Sequence, residues 1–290
     1  MMHTGLSADV IDRLPSPKGV ALALTQACRR DDANLEEIGN LVQQDPALSG
    51  RLLALANAAA LGGSNVVSVQ EAVSRMGLQR VSQVALAFSL IDQHSGGACT
   101  NFDYAGFWNR SLLMAAASRA FGSLRRLGVA GELFTVGLLA QIGSLALATA
   151  FAHEYSDLVA LDITRADLLQ RERIITHTDH MQLSVAMMEH WGIPADYARP
   201  FGQCEAHGAS HADTSAYPAG STGAMRLQLA HSCWLLADLL AKDGSDIAVD
   251  HPDCVAALHW LDLTREELLG VLQEIEAVWR VWLVLITRKG

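Results

Sequence analysis

A repeated helix-start signal constrains the fold of this chain more than any other feature of its sequence. In this signal a short polar side chain accepts a hydrogen bond from a backbone amide of the first helical turn. An acid three residues later, or a proline directly after, strengthens it. Between the signals the apolar residues recur at helical spacing, and no stretch alternates as a half-buried strand would. We therefore predict an all-α protein. The signals are Asn34 with Glu37, Asp45 with Pro46, Ser68 with Glu71, Thr164 with Asp167, and Thr264 with Glu267.

Glycines and polar stretches mark where the predicted helices end. The helix that starts at the second signal should end near Gly62, and the next should stop at Gly77, because glycine is the usual residue just past a helix C-terminus. Residues 95–101 and 208–224 are small and polar, so we predict loops there. The longer loop is a candidate contact surface, since loops often carry binding.

The last predicted helix runs from Thr264 to Ile286 and ends in several large apolar residues. We expect it to pack back on the body of the protein through one apolar side. The residues expected on that side are Leu268, Leu272, Ile275, Trp279 and Leu283.

An uncharged stretch at residues 133–152 has about the length of a membrane span. It also carries Gln141, Ser144, threonines, glycines and many alanines, so we interpret it as a buried central helix and expect no membrane insertion. The amino-terminal segment lacks the pattern of a signal peptide. The five cysteines show no paired spacing and are interpreted as reduced thiols. A cytoplasmic location is expected.

The charge balance argues against nucleic acid as a partner. Lys and Arg number 21 against 31 Asp and Glu, which gives a net charge of −10, whereas phosphate binding depends on an excess of basic residues. Residues 71–86 could form two helices about Gly77, as in a helix-turn-helix. The second of these is mostly apolar, however, and a recognition helix must be polar. We interpret the pair as an ordinary corner between packed helices.

Histidines cluster in the second half of the chain, and His207 and His211 have a spacing that places two imidazoles on one helix face. A hydrolytic metal site also needs carboxylates. Asp179 and Glu189 lie near in sequence, but such pairs are usually found on the surface. The residues alone leave both a metal site and a set of surface histidines open.

Read in order, several blocks resemble the HDOD family, a group of signalling relatives of the HD-superfamily metal phosphohydrolases. The resemblance covers roughly residues 14–207. Its most specific parts are the stretch from Asp45 to Asn57 and the stretch from Gln70 to Gly77. The blocks are LEEIGNLVQQDPALSGRLLALANAAAL, VSVQEAVSRMGLQRVSQVAL, FWNRSLLMA, ELFTVGLLAQIGSLAL and HMQLSVAMMEHWGIP.

The resemblance also assigns the positions of the metal ligands of catalytic relatives. The early histidine falls at Arg110, and the His-Asp pair falls at Ala140 and Gln141. His180 and His207 persist. Asp238 is a loose candidate for the late aspartate.

These replacements imply that the metal centre is lost. Ala140 cannot ligate, Gln141 is a neutral amide, and the guanidinium of Arg110 does not deprotonate. We expect no catalytic residue, no metal and no cofactor. The former site is either packed and empty or a pocket for an anionic ligand. Residues that could line such a pocket are Arg110, Gln141, His177, His180 and His207.

The resemblance implies a multi-helix HDOD domain at residues 14–210, with an N-terminal helical part at 14–95 and a degenerate HD-like part at 101–210. Residues 211–290 would add a loop and C-terminal helices packed on the HD-like part.

The implied function is that of a non-catalytic bacterial regulatory protein that acts through protein–protein contact. Its partners would be components of cyclic-di-nucleotide, chemotaxis or two-component pathways. Two alternatives stay open. One is a metal-dependent phosphodiesterase or phosphohydrolase that uses His177, His180, His207 and His211. The other is a sensor that holds a nucleotide or other anion near Arg110.

Overall fold

A computed structural model of the chain describes most of its 290 residues. The structure describes residues 14–16, 18–28, 30, 32–58, 66–128, 130–191, 193–205, 214–244 and 247–287. Within these ranges the regular structure is helical and no strand occurs, so the all-α prediction is confirmed.

The chain divides into two compact units. The smaller unit comprises residues 16–94 together with residues 280–290. Its helices are α1 (Gly19–Ala27), α2 (Leu35–Gln43), α3 (Pro46–Ala58), α4 (Val69–Met76) and α5 (Leu78–Gln93). Helix α1 packs on α5, and α4 packs on α2 and α3, around apolar residues such as Leu24, Ile38 and Leu52.

The larger unit comprises residues 1–15 and 95–279. Within it α6 packs against α7 and α13, and α11 packs against α8 and α12. The helices are α6 (Tyr104–Arg125), α7 (Ala130–Leu139), α8 (Ile142–Ala150), α9 (Ala152–Val159), α10 (Arg165–Thr176), α11 (His180–His190), α12 (Ala195–Gly202), α13 (Thr222–Asp243), α14 (Pro252–Trp260) and α15 (Arg265–Thr287). The boundary between the units falls within α15, because its residues through Trp279 belong to the larger unit.

Every predicted helix start is confirmed, and the side chains make the expected bonds. Asn34 Oδ1 accepts from the amide of Glu37 at 2.8 Å, and Ser68 Oγ accepts from that of Glu71 at 3.1 Å. Asp45, Thr164 and Thr264 cap their helices in the same way. These contacts involve residues three apart in the chain, which is why local sequence is enough to place them.

The glycine at the corner between α4 and α5 is required by its backbone. Gly77 has φ of +79°, a region that residues with a Cβ rarely adopt. Beyond it, α5 buries Val81, Ala87 and Leu90, as predicted for a packed helix. The other predicted stop, Gly62, lies outside the described residues.

The prediction of one continuous central helix is wrong. The uncharged stretch forms α7 and α8, which are separated by a turn at Ala140 and Gln141. Residues Glu132–Ala150 have a mean hydropathy of 1.7 and are the one stretch in the described part of the chain with the length and composition of a membrane span, yet 72 % of the 18-residue window is buried by the protein itself. Such burial is typical of a core segment.

The C-terminal part differs from the prediction in detail. Loop residues 214–221 form turns, and α13 begins at Thr222, inside the predicted loop, because the Ser221 side chain caps it. Residues 206–213 lie outside the described part. In α15 the most buried side chains are Leu268, Val271, Ile275 and Trp282, whereas Leu272, Trp279 and Leu283 are half-buried.

Candidate functional site

The turn between α7 and α8 places Gln141 beside a buried polar cluster in the larger unit. Gln141 occupies the position before the first residue of α8, with its side chain half-buried. Its amide nitrogen donates a hydrogen bond to Glu205, which follows the C-terminus of α12. The position at which the resemblance places the metal-binding aspartate is therefore held by a neutral donor that faces an acid.

His180 begins α11 and lies at the centre of the cluster. Its Nδ1 is 2.7 and 2.9 Å from the two carboxylate oxygens of Glu172, and its Nε2 is 3.4 Å from Oε2 of Glu205. The backbone amide of His180 donates to Glu172 at 3.0 Å, and the hydroxyl of Tyr155 donates to the same carboxylate at 3.1 Å. All four side chains are buried. Both ring nitrogens of His180 thus face carboxylates.

Arg165 completes the cluster from the first residue of α10. Its guanidinium forms an ion pair with Glu205 and stacks over the ring of Trp234, 4.2 Å from the ring centroid. The side chain of Arg165 is 40 % exposed, whereas that of Glu205 is 8 % exposed. The cluster formed by Gln141, Tyr155, Arg165, Glu172, His180 and Glu205 is called the His180 cluster below.

A close approach of two helices gives the His180 cluster its geometry. A Cβ on Gly143 would lie 1.9 Å from the backbone oxygen of His180, so only glycine fits here. The amide of Gly143 donates to Ser184 Oγ at 2.9 Å, and Ser184 Oγ donates to the His180 oxygen at 2.8 Å. The first turns of α8 and α11 are thereby held in direct contact, which brings Gln141 and His180 to the same carboxylate.

The electrostatics of the His180 cluster are those of a charged network. Burial lowers the pKa of His180, but hydrogen bonds and charges from Glu172 and Glu205 outweigh this and raise the pKa to about 10. Burial raises the pKa of Glu205, but Arg165 and His180 outweigh it and lower the pKa to about 2. Burial and the charge of Glu172 raise the pKa of Tyr155 well above its ordinary value. This raised pKa favours the protonated form of His180, whose ring lies between the carboxylates of Glu172 and Glu205.

These groups do not fit a metal ion. Nδ1 of His180 is engaged by Glu172, and Nε2 faces Glu205, whose carboxylate is already paired with Arg165 and Gln141. Ala140 has no ligating atom, and the nitrogen of Gln141 is turned toward Glu205 as a donor. In the part of the chain described by the structure, no group of three or more His, Cys, Asp and Glu side chains has an arrangement suited to a metal ion.

The structure brings together two of the residues predicted for a ligand pocket, Gln141 and His180, which meet at Glu205. Arg110 is half-buried in α6, and no hydrogen bond or ion pair joins it to Gln141 or His180. His177 is exposed at the end of α10, where it adopts φ of +59°. His207 lies outside the described residues. The anion pocket stays a prediction.

Two further metal-ligand candidates, Asp238 and Asp179, pair with residues outside the His180 cluster. Asp238, the loose candidate for the late aspartate, pairs with Lys242 one turn later in α13 at 2.7 Å. Asp179 is buried, caps α11 and pairs with Arg173 at 2.7 Å. His211 lies outside the described residues.

Sequence reasoning missed four members of the cluster, namely Tyr155, Arg165, Glu172 and Glu205. Glu172 lies eight residues before His180, on a helix whose neighbouring charges are exposed, so nothing local marks it as buried. Arg165 and Glu205 are 40 residues apart in the chain. One signal was present: Thr164 with Asp167 fixes the start of α10, and therefore fixes Arg165 as its first residue.

The charged network predicts a pH dependence of stability. Because the folded-state pKa of His180 lies near 10, above its ordinary value of 6.5, its stabilisation is complete below pH 6.5 and is lost as pH rises toward 10. Because that of Glu205 lies near 2, below its ordinary value of 4.5, its stabilisation is complete above pH 4.5 and is lost as pH falls toward 2. The contribution of the network to the unfolding free energy should therefore be largest between about pH 4.5 and 6.5.

Urea unfolding of the wild type and of His180→Gln from pH 5 to 9 checks this, with exposed His153→Gln as the matched control. The wild type and the control should lose unfolding free energy in parallel above pH 6.5. His180→Gln should lose less. Identical pH profiles for His180→Gln and wild type would contradict the prediction.

Comparison with known proteins identifies the family to which the chain is similar. The profile of the HDOD domain matches residues 14–206. An uncharacterized protein of Treponema pallidum (strain Nichols) is 25 % identical over 199 residues, which are 64 % of this chain and 36 % of that protein. The chain thus spans about a third of the length of this curated relative.

Two solved structures extend the likeness across the chain. The MmoQ response regulator from Methylococcus capsulatus str. Bath is 31 % identical, with a TM-score of 0.57 over 91 % of this chain and 99 % of that one. A candidate phosphohydrolase from Shewanella amazonensis SB2B has a TM-score of 0.71 over 99 % of this chain and 100 % of that one; its 20 % identity shows a shared fold alone. With the profile match covering more than half of its length, this chain belongs to the HDOD family.

Proposed function

We propose that this protein is a non-catalytic regulator in bacterial signal transduction, located in the cytoplasm, which acts by binding another signalling protein. The single observation that supports the loss of catalysis is the hydrogen bond from the Gln141 amide nitrogen to Glu205, at the position where the resemblance places a metal-binding aspartate. The His-Asp pair that would hold a metal ion in catalytic relatives corresponds, by the resemblance, to Ala140 and Gln141. Hydrolysis by metal-activated water therefore has no ligand set at this position.

The signalling role is supported by likeness to the MmoQ response regulator, which extends over nearly all of both chains. The partner of this chain is proposed to be a component of a two-component, chemotaxis or cyclic-di-nucleotide pathway.

Protein contact is also supported by the outer face of α10. Ile174 is 69 % exposed and Ile175 is 41 % exposed, although isoleucine is usually buried. With Asp167, Gln170 and Arg171 they line a surface groove of about 360 Å³. A partner that places apolar side chains in this groove, with polar groups near Asp167 and Arg171, would match it.

The first arm of the test measures metal and hydrolysis. Protein purified without chelators should contain far less than one iron, manganese or zinc per chain, and should not hydrolyse bis(p-nitrophenyl) phosphate. Near-stoichiometric metal, together with hydrolysis that His180→Ala abolishes and exposed His153→Ala retains, would show instead that the protein is a phosphohydrolase.

The second arm measures binding. The protein, tagged and recovered from its native organism, should carry a signalling protein that binds again when both are purified. Ile174→Asp should weaken this binding at least about tenfold, because it places a charge in an apolar contact. Val255→Asp is the matched control, since Val255 is 48 % exposed on α14. If the two variants bind alike, the face of α10 is not the contact.

A further inference from the structure

The His180 cluster contains two buried carboxylates, and their charge must be balanced. Glu172 is fully buried and Glu205 is nearly so. An uncompensated buried carboxylate is costly, so proteins pair such groups or place a cation beside them. His180 lies between the two acids, with Nδ1 2.7 Å from Glu172 and Nε2 3.4 Å from Oε2 of Glu205. A permanent positive charge beside Glu205 would balance that carboxylate.

Arg165 supplies that charge. The guanidinium is paired with Glu205, which accepts in addition from Gln141 and faces Nε2 of His180. A carboxylate offers about four acceptor positions, so these three donors leave Glu205 little capacity for another cation. Trp234 fixes the guanidinium from one side by stacking at 4.2 Å, a contact that suits the flat, weakly hydrated arginine side chain and not lysine.

We propose that the guanidinium of Arg165 is the resident cation of the His180 cluster, with the charge role that a metal ion has in the hydrolases that the fold resembles. In this role Arg165 holds Glu205 toward Gln141 and His180, and so connects α8, α10 and α11 to the residues that follow α12. The inference rests on the proposed loss of the metal centre. It goes further, because it names what has replaced the metal.

The partial exposure of Arg165 makes a chemical rescue possible. Arg165→Ala removes the guanidinium and leaves a cavity between Trp234 and Glu205 that is open to solvent, since 40 % of the Arg165 side chain is exposed. We expect the melting temperature to fall by about 5 °C. Low-millimolar ethylguanidinium chloride should recover most of that loss, whereas ethylammonium chloride at the same concentration should not.

The matched control is Arg171→Ala, because Arg171 lies on the same helix with its side chain exposed. It should melt within about 1 °C of wild type and show no response to ethylguanidinium. An unchanged melting temperature for Arg165→Ala, or a loss that ethylguanidinium does not recover selectively, would overturn the proposal.

A double variant keeps the test decisive if Arg165→Ala does not fold. In Arg165→Met with Glu205→Gln both charges of the pair are removed, so the double variant should melt above both single variants. If the losses of the two single variants simply add, the side chains are not coupled and the inference fails. Metal bound by the wild type would instead refute the proposed function, so the two failures are distinguishable.

Discussion

Glu172→Ala is expected to lower the free energy of unfolding by about 3–5 kcal/mol, which is the usual cost when one partner of a buried ion pair is removed. Glu172 accepts from the hydroxyl of Tyr155, from Nδ1 of His180 and from the backbone amide of His180. All of these donors are buried. The truncation therefore leaves a charge and two polar groups without their acceptor in the interior.

A series of substitutions at Glu172 and Tyr155 separates the contributions of the charge and of the hydrogen bonds to the free energy of unfolding. Glu172→Gln keeps an acceptor and a similar shape but removes the charge, so its loss should be smaller than that of Glu172→Ala. Tyr155→Phe removes one hydrogen bond and should cost about 1 kcal/mol. Exposed Glu154→Ala on α9 is the matched control and should cost less than about 1 kcal/mol. Urea unfolding gives all four values, and a loss at Glu172 no larger than that at Glu154 would show that the buried carboxylate does not organise the cluster.

The parts of the fold that the sequence predicts are those determined by neighbours along the chain. A cap such as Ser68 with Glu71 acts across three residues, so the helix start can be identified without knowledge of what the helix packs against. The αα-corner at Gly77 is local for the same reason, because its backbone conformation favours glycine. Helix starts, helix type and the corner were therefore predictable.

The break at Ala140 and Gln141 was not predictable from the same kind of signal. An uncharged stretch of alanine, leucine and glycine is compatible with one long helix, and nothing inside it acts as a strong breaker. The reason for the break lies outside the stretch, in the contact of Gln141 with Glu205 and of Gly143 with His180. These partners are distant in sequence.

The residues of the candidate site also fall into those that the sequence predicts and those that it does not. The resemblance identified Gln141 and His180 because both occupy positions within recognisable blocks. It did not identify Glu172, Glu205 or Arg165, because the ion pairs of a buried cluster can come from any side chain that the fold brings near. Burial of an acid depends on tertiary packing, and a sequence motif does not record it.

Gly143→Ala tests the close approach on which the cluster depends, and it is expected to lower the free energy of unfolding by about 3 kcal/mol. The added Cβ would lie 1.9 Å from the backbone oxygen of His180 and 2.8 Å from the amide nitrogen of Ser184. Both atoms belong to the backbone of α11, so no side chain can rotate away to relieve the overlap. Helices α8 and α11 must separate. This lengthens the hydrogen bond from the amide of residue 143 to Ser184 Oγ and draws Gln141 away from Glu205.

Gly270→Ala is the matched control, because Gly270 lies inside α15 and a Cβ there would meet no atom within 4 Å. In that helix alanine should stabilise the protein by about 0.5–1 kcal/mol, since it lowers the entropy lost on folding. The two glycine-to-alanine substitutions should therefore change the free energy of unfolding in opposite directions, which urea unfolding measures. Hydrogen exchange gives an independent measurement. In Gly143→Ala the backbone amide of residue 143, which donates to Ser184 in the wild type, should exchange faster, whereas in Gly270→Ala this amide should keep its protection. Equal stability of Gly143→Ala and wild type would mean that α8 and α11 are not held at this distance, and the arrangement of Gln141, Glu205 and His180 would lose its structural basis.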